Sequence, residues 1–226
     1  MRPHDEQNWT IKRLQNAIES TVLGNEVDMD AVIRTTHEAL ELGVKGGVCV
    51  PPQWVRVAYR TAGGVVPVVT VADFPHGGSN PHLVAEAILE ASENGADEVD
   101  VVLGRQVRDP IEAQDRMLVW ADTGVRVKVI LESAERSRDE LAHLTRAARR
   151  AGLAFVKTST GYSPKGGATL DAVRVMHAEG HSLIRVKASG GIRTADFALS
   201  LLDAGATRLG TSSAQQIFGE LSVRGS

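Results

Sequence analysis

The 226-residue chain has a single cysteine, Cys49, which excludes an intramolecular disulfide and leaves nothing that points to an oxidising compartment. No apolar run approaches the ~20 residues that a membrane span needs. The polar start MRPHDEQNWT lacks the apolar core of a secretory leader. A basic excess is also missing: a net charge of −3 supplies no concentrated positive field for nucleic acid or an anionic membrane. No dinucleotide fingerprint occurs, and KGGAT at 165–169 lacks the glycine spacing and the Lys-Ser/Thr pair of a phosphate loop. His76 and His82 follow the third apolar run and can border a pocket, but no His/Asp/Glu group has metal-ligand spacing. These absences lead us to expect a cytoplasmic enzyme that works without metal, cofactor, nucleic acid or membrane.

What is present is a repeating unit. Short apolar runs lie at 17–24, 43–50, 65–74, 96–104, 125–133, 153–160, 183–191 and 207–213. Amphipathic stretches separate most of them, over 28–42, 82–94, 111–122, 137–151, 170–178 and 194–204. Gly43, Gly95, Gly124, Gly152, Gly180 and Gly205 close these stretches, where a helix C-cap is expected. Strands alternating with helices pair in parallel, and eight units in a chain of this length predict a single-domain α/β (β/α)8 TIM barrel over residues 1–226. A doubly wound open sheet is the structural alternative.

Lysine is scarce: of the 25 basic residues only Lys12, Lys45, Lys128, Lys157, Lys165 and Lys187 are lysines. Three of them, Lys128, Lys157 and Lys187, interrupt apolar strand runs. Alternation puts Lys157 on one face with Phe155 and Ser159, and Lys187 with Arg185 and Ser189. The strands are consecutive, hence neighbours about 4.8 Å apart. Two ammonium groups forced together in a desolvated interior favour the neutral form of one of them. Ordinary lysine is neutral in only about one molecule in 2,500 at pH 7, so such a pair marks an amine able to attack a carbonyl. The competing reading is a lysine that pairs with a buried carboxylate or extends to solvent.

Asp100 alternates with Glu98 and Val102 and is expected to face the barrel interior, as either a proton relay or a static counter-ion. Lys128 and Glu132 share a face of the next strand and are expected to complete an interior charge network. Gly190 and Gly191 follow the seventh strand, and Gly210, Ser212 and Ser213 end the eighth before a helix. That is where barrels hold phosphate, although each pair alone is also ordinary turn or cap chemistry. Cys49 ends a strand and is read as packing.

FVKTSTG (155–161), VKASGGIRT (186–194), EVDVVL (98–103) and RLGTSS (208–213), with VKVILESAE, GGVCV and FPHG in the same order, resemble the deoxyribose-phosphate aldolase family over nearly the whole chain. The resemblance implies a metal-independent Schiff-base aldolase that reversibly cleaves 2-deoxy-D-ribose 5-phosphate to D-glyceraldehyde 3-phosphate and acetaldehyde. It implies Lys157 as the imine lysine, Lys187 as the lysine that perturbs it, and Asp100 as the proton-transfer carboxylate. Gly161, Gly190, Gly191, Gly210, Ser212 and Ser213 would hold phosphate, with Glu19, Thr21, Cys49, Lys128 and Thr158 in support. A homodimer is implied, with no interface marked.

Several positions depart from the family pattern. Glu19 replaces an aspartate, Pro51 and Gly104 replace asparagines, and Asp73 replaces a glycine and adds charge at the mouth. Lys165 is the one lysine in the loop after TSTG that is placed to reach phosphate. The chain ends LSVRGS, where some members end in a tyrosine implicated in proton transfer. These departures leave two other readings open: a related aldolase with another acceptor aldehyde, and a catalytically silent phosphosugar-binding protein.

Overall fold

Six helices begin on a polar side chain that accepts a first-turn backbone N–H: Asp28, Asn80, Asp109, Ser137, Thr169 and Thr194. Each satisfies one of the donors that a helix start leaves without a partner. Ser137 and Glu140 complete a reciprocal capping box. The helices so started are α2 (Met29–Glu41), α4 (Pro81–Glu93), α5 (Pro110–Ala121), α6 (Arg138–Arg150), α7 (Leu170–Gly180) and α8 (Ala195–Asp203). Helices α1 (Pro3–Ala17), α3 (Val55–Ala62) and α9 (Ala214–Arg224) complete the set among the described residues. The computed structural model describes residues 3–24 and 26–224; for 3–7, 223 and 224 only the backbone is described. The end of the LSVRGS segment therefore lies outside the described residues.

Between the helices run β1 (Ile18–Thr21), β2 (Gly47–Cys49), β3 (Val68–Ala72), β4 (Glu98–Val102), β5 (Arg126–Ile130), β6 (Phe155–Lys157), β7 (Arg185–Ser189) and β8 (Arg208–Thr211). All pair in parallel with their sequence neighbours, and β8 returns to β1, so the sheet closes into the expected eight-stranded barrel. No helix among the described residues is long and apolar enough to cross a membrane.

Alternation divides each strand between two environments. Val99, Val101, Val127, Val129, Val156, Val186, Ala188 and Leu209 face the helices and join the main hydrophobic core. The inward face carries a small apolar cluster on one side, Cys49, Val69 and Val71. Beside it on the same face lie buried Glu19, Glu98, Asp100, Lys128, Lys157 and Lys187.

Two local expectations are corrected. Gly180 does not adopt the left-handed conformation; His181, at φ 48°, is the C-cap of α7. What restricts Gly180 is space, since a Cβ there would lie 3.1 Å from Ile184 Cγ2. Glu132 does not continue the inward face of β5. It sits two residues past the strand at φ 53° and accepts from Thr160 N (3.3 Å) and Thr160 Oγ1 (2.7 Å), clamping the loop after β6.

The loops after β6 and β7 meet backbone to backbone. A Cβ on Gly190 (φ 90°) would stand 2.9 Å from Gly167 Cα, and one on Gly167 would overlap the Gly190 carbonyl. Gly190 O accepts from Ala168 N at 3.1 Å across the same contact. Gly191 also has positive φ, 78°, but open space where a Cβ would go. Gly191→Ala should therefore cost about 1–2 kcal/mol, the conformational penalty alone. Gly190→Ala should cost more by about 1–3 kcal/mol, the range for overpacking. Urea denaturation of both variants checks the order, and equal losses would contradict the contact.

Candidate active site

Parallel register assembles the charged cluster. Asp100 stands opposite Lys128 across β4 and β5, and Lys157 stands opposite Lys187 across β6 and β7. Asp100 binds all three lysines: Oδ1 accepts from Lys128 Nζ at 3.0 Å, while Oδ2 accepts from Lys157 Nζ at 2.7 Å and Lys187 Nζ at 2.8 Å. Lys128 also reaches Glu98 at 2.7 Å and Glu19 at 3.3 Å. Lys187 donates to Glu19 Oε2 as well. Three buried lysines thus face three buried carboxylates. Among the described residues, Lys157 is the one of the three lysines whose carboxylate partner is Asp100 alone.

Gly210 makes the last link. It lies inside β8, rather than in the loop after it, and pairs with Glu19 of β1 on one side and Ser189 of β7 on the other. A Cβ there would press on Lys187 Cε at 3.1 Å. With no side chain in between, Lys187 reaches across β8 to Glu19. Glu19 consequently sits at the bottom of the charge cluster, fully buried, and not at the mouth.

Electrostatics follow from this packing. Burial alone would raise the Asp100 pKa, but Lys128, Lys157 and Lys187 outweigh it and hold the carboxyl well below its ordinary value. Burial opposes the charge on Lys187, yet Asp100 and Glu19 keep it protonated above the ordinary lysine range. Lys128 is raised in the same way, with burial again overcome by Asp100 and Glu19. Burial pushes the Cys49 thiol up to about 11. Glu19, Cys49 and Asp100 bring ligand-type atoms within 4.8 Å of one another. The set is a poor host for a cation, because the carboxylates already bind ammonium groups and the thiol keeps its proton.

The remaining residues singled out from the sequence fall into three groups. Thr158 joins strands rather than facing the lysines, since its Oγ1 donates to Ser189 O at 3.1 Å and accepts from Ser189 N at 3.0 Å. Thr21 Oγ1 turns back to Glu19 O at 3.2 Å. Gly161 and Gly191 are open, at φ 90° and 78°, while exposed Ser212 and half-buried Ser213 precede α9. Lys165, exposed in the loop after β6, pairs with Glu135 at 2.8 Å. At the mouth, an open cavity of about 1350 Å³ is lined by Pro51, Asp73, His76, Arg105 and Tyr162 among others. His82 lies on a separate shallow groove between α4 and α5. Asp73 is not a free charge there: its carboxylate accepts from Ser79 N at 2.9 Å and Ser79 Oγ at 2.5 Å.

Sequence reading missed Tyr162, whose ring packs edge-on against Phe74 at 5.4 Å across the mouth. It also missed the buried hydroxyl of Ser159, which has no hydrogen-bond partner among the described residues. Strand alternation with Lys157 was the available signal for Ser159; for Tyr162, a loop residue, there was none.

The chain is similar to known proteins over most of its length. The DeoC/LacD family aldolase pattern covers residues 13–220. The deoxyribose-phosphate aldolase of Corynebacterium glutamicum is 40% identical over 221 residues, 92% of this chain and 97% of that protein. That of Thermus thermophilus is 42% identical, over 87% of this chain and 91% of its own length. Among solved structures, a tetrameric deoxyribose phosphate aldolase from Aeropyrum pernix superposes with a TM-score of 0.84 at 28% identity, covering 98% of this chain and 99% of that one. Fold, lysine cluster and sequence therefore agree that the chain belongs to the DeoC/LacD family of aldolases.

Proposed function

We propose that the protein reversibly cleaves 2-deoxy-D-ribose 5-phosphate to D-glyceraldehyde 3-phosphate and acetaldehyde, with Lys157 forming the imine. The observation that carries this reading is the asymmetry among the three lysines. Lys128 and Lys187 each bind two or more carboxylates, whereas Lys157 shares one oxygen of Asp100 with Lys187. Lys187, held protonated by Asp100 and Glu19, is a fixed positive charge beside Lys157. The names and extent of the relatives support the same substrate.

In this reading the neutral Lys157 amine adds to the aldehyde carbon C1 of the open-chain sugar, and loss of water leaves a protonated imine. When the C3 hydroxyl loses its proton, the C2–C3 bond breaks. Its electron pair moves into the imine, and C3 leaves as the carbonyl of glyceraldehyde 3-phosphate. Protonation of the enamine at C2 and hydrolysis release acetaldehyde and regenerate the amine. Asp100, ionised at neutral pH, holds the two ammonium positions in register and passes protons in transit. The phosphate is assigned to the backbone of Gly161, Gly190 and Gly191 and to Ser212 and Ser213 just before α9, where N–H groups and the helix dipole favour an anion. Gly210 serves the same site indirectly, through the space it leaves for Lys187. A homodimer and a cytoplasmic location complete the proposal, as does one domain over 1–226. Exposed Leu83, Leu89, Ile111 and Leu118 on α4 and α5 support self-association.

Steady-state cleavage of 2-deoxyribose 5-phosphate, with other aldehydes compared as acceptors in the synthesis direction, tests the substrate. Lys157→Ala should lower kcat by more than about a thousandfold. A variant that retains normal turnover would remove Lys157 from the chemistry. Lys187→Leu takes away the fixed positive charge beside Lys157, and the rising limb of the pH–rate profile should move to higher pH. An unchanged profile would refute the role given to Lys187. Asp100→Asn leaves three buried ammonium groups short of a counter-charge and should cost about 3–5 kcal/mol at pH 7, read by chemical denaturation. A loss below about 1 kcal/mol, the scale of a surface pair, would contradict the network.

A further inference from the structure

Four consecutive strands begin with inward-facing residues: Arg126 on β5, Phe155 on β6, Arg185 on β7 and Arg208 on β8. They ring the N-terminal pole of the barrel, opposite the mouth at the strands' C-terminal ends. Phe155 is buried and plugs the pole. The Arg185 guanidinium stacks over its ring at 4.0 Å, and that of Arg208 lies 5.7 Å from the same centroid. Arg126 Nη1 and Arg208 Nη2 both approach Glu98 Oε1, at 2.9 and 3.8 Å.

The charge at this pole does not balance. Glu98 must serve Arg126, Arg208 and Lys128 together. Glu19, the other carboxylate near Arg208, lies 3.7 Å away and is committed to Lys128 and Lys187. The Arg185 guanidinium has no ion pair or hydrogen bond to any described residue and is exposed to solvent. Burial at the rim and the positive charges of Arg126 and Arg208 lower its pKa, with Glu98 acting the other way. The Arg126 side chain is also half exposed, 53%. Arg126 and Arg185 are thus exposed beside the aromatic plug, while Arg208, only 13% exposed, spends its nitrogens on Gly46 O, Glu19 and Glu98. Planar guanidinium forks match the oxygens of a phosphoryl group.

We propose that the N-terminal pole of the barrel binds an oxyanion of the phosphate class through Arg126 and Arg185, at a site separate from the catalytic mouth. Stacking on Phe155 fixes the plane of the Arg185 fork. The backbone of the barrel fixes the spacing between the forks, because each arginine is the first residue of its strand. The lysine cluster is reached from this pole through Glu98, which binds both Arg126 and Lys128, so the two ends of the barrel share one chain of ion pairs. The proposal does not depend on the substrate assigned to the mouth.

Equilibrium dialysis of the full chain against inorganic phosphate, at constant ionic strength in chloride, measures the number bound. Wild-type protein should bind one phosphate more per chain than Arg185→Gln, while both cleave substrate at the same rate. Arg185→Lys, which keeps the charge without the planar fork, should retain the extra phosphate with weaker affinity, and it decides the question if the glutamine variant does not fold. Repeating the titration with glycerol phosphate separates the sources: a difference between wild type and variant with only one of the two ligands identifies free phosphate or a phosphomonoester as the occupant. Equal stoichiometry in wild type and variants with both ligands would overturn the proposal.

Discussion

One carboxylate holds the interior of this barrel together. Asp100 accepts from three lysines that belong to three different strands, β5, β6 and β7, and among the described residues no other carboxylate pairs with all of them. Three ammonium groups in a buried space repel one another by several kcal/mol at any realistic interior dielectric. Without Asp100 they would have to neutralise, rotate out or open the barrel. Its pKa, driven well below normal by those same lysines, means that this compensation is present throughout the neutral range. It is lost only as pH falls below the ordinary aspartate value of 3.8 toward the depressed one.

Closure of the sheet depends on a similar economy of space. Lys187 and Glu19 are 168 residues apart and meet because β8 presents Gly210 between them. The link ties the last strands to the first, and it gives a glycine in the middle of a strand a purpose that turn chemistry does not supply. The loops above are locked by the same kind of fit, with Gly167 and Gly190 in backbone contact and Glu132 clamping Thr160. A rigid floor of ion pairs and a rim of interlocked loops are what a covalent amine catalyst requires, since the amine must stay aligned through several proton transfers.

Much of this was legible in the amino-acid sequence wherever local periodicity carries the information. Alternation placed Asp100, Lys128, Lys157 and Lys187 inward, and consecutive parallel strands made Lys157 and Lys187 neighbours, as their register has them. What stayed hidden depends on distance or on single dihedral angles. The pairing of Lys187 with Glu19 is one such contact, because nothing local announces that the two meet across Gly210. Glu132 keeps the period of β5 in sequence and leaves it in space through one left-handed residue. The ion pair of Lys165 with Glu135 from the preceding loop was equally unannounced. Asp73 looked like an added charge at the mouth, but it spends its oxygens on Ser79. Helix α3 was not singled out, because its eight residues bury only Val55, Ala58 and Ala62.

The central claim is that Lys157, and neither Lys128 nor Lys187, is the amine that bonds to substrate. Incubation with 2-deoxyribose 5-phosphate, reduction with borohydride and peptide mapping by mass spectrometry address it directly. The account predicts one stable adduct, on the peptide that carries Lys157. An adduct on Lys187 or Lys128, or none on folded protein at any pH, would contradict it.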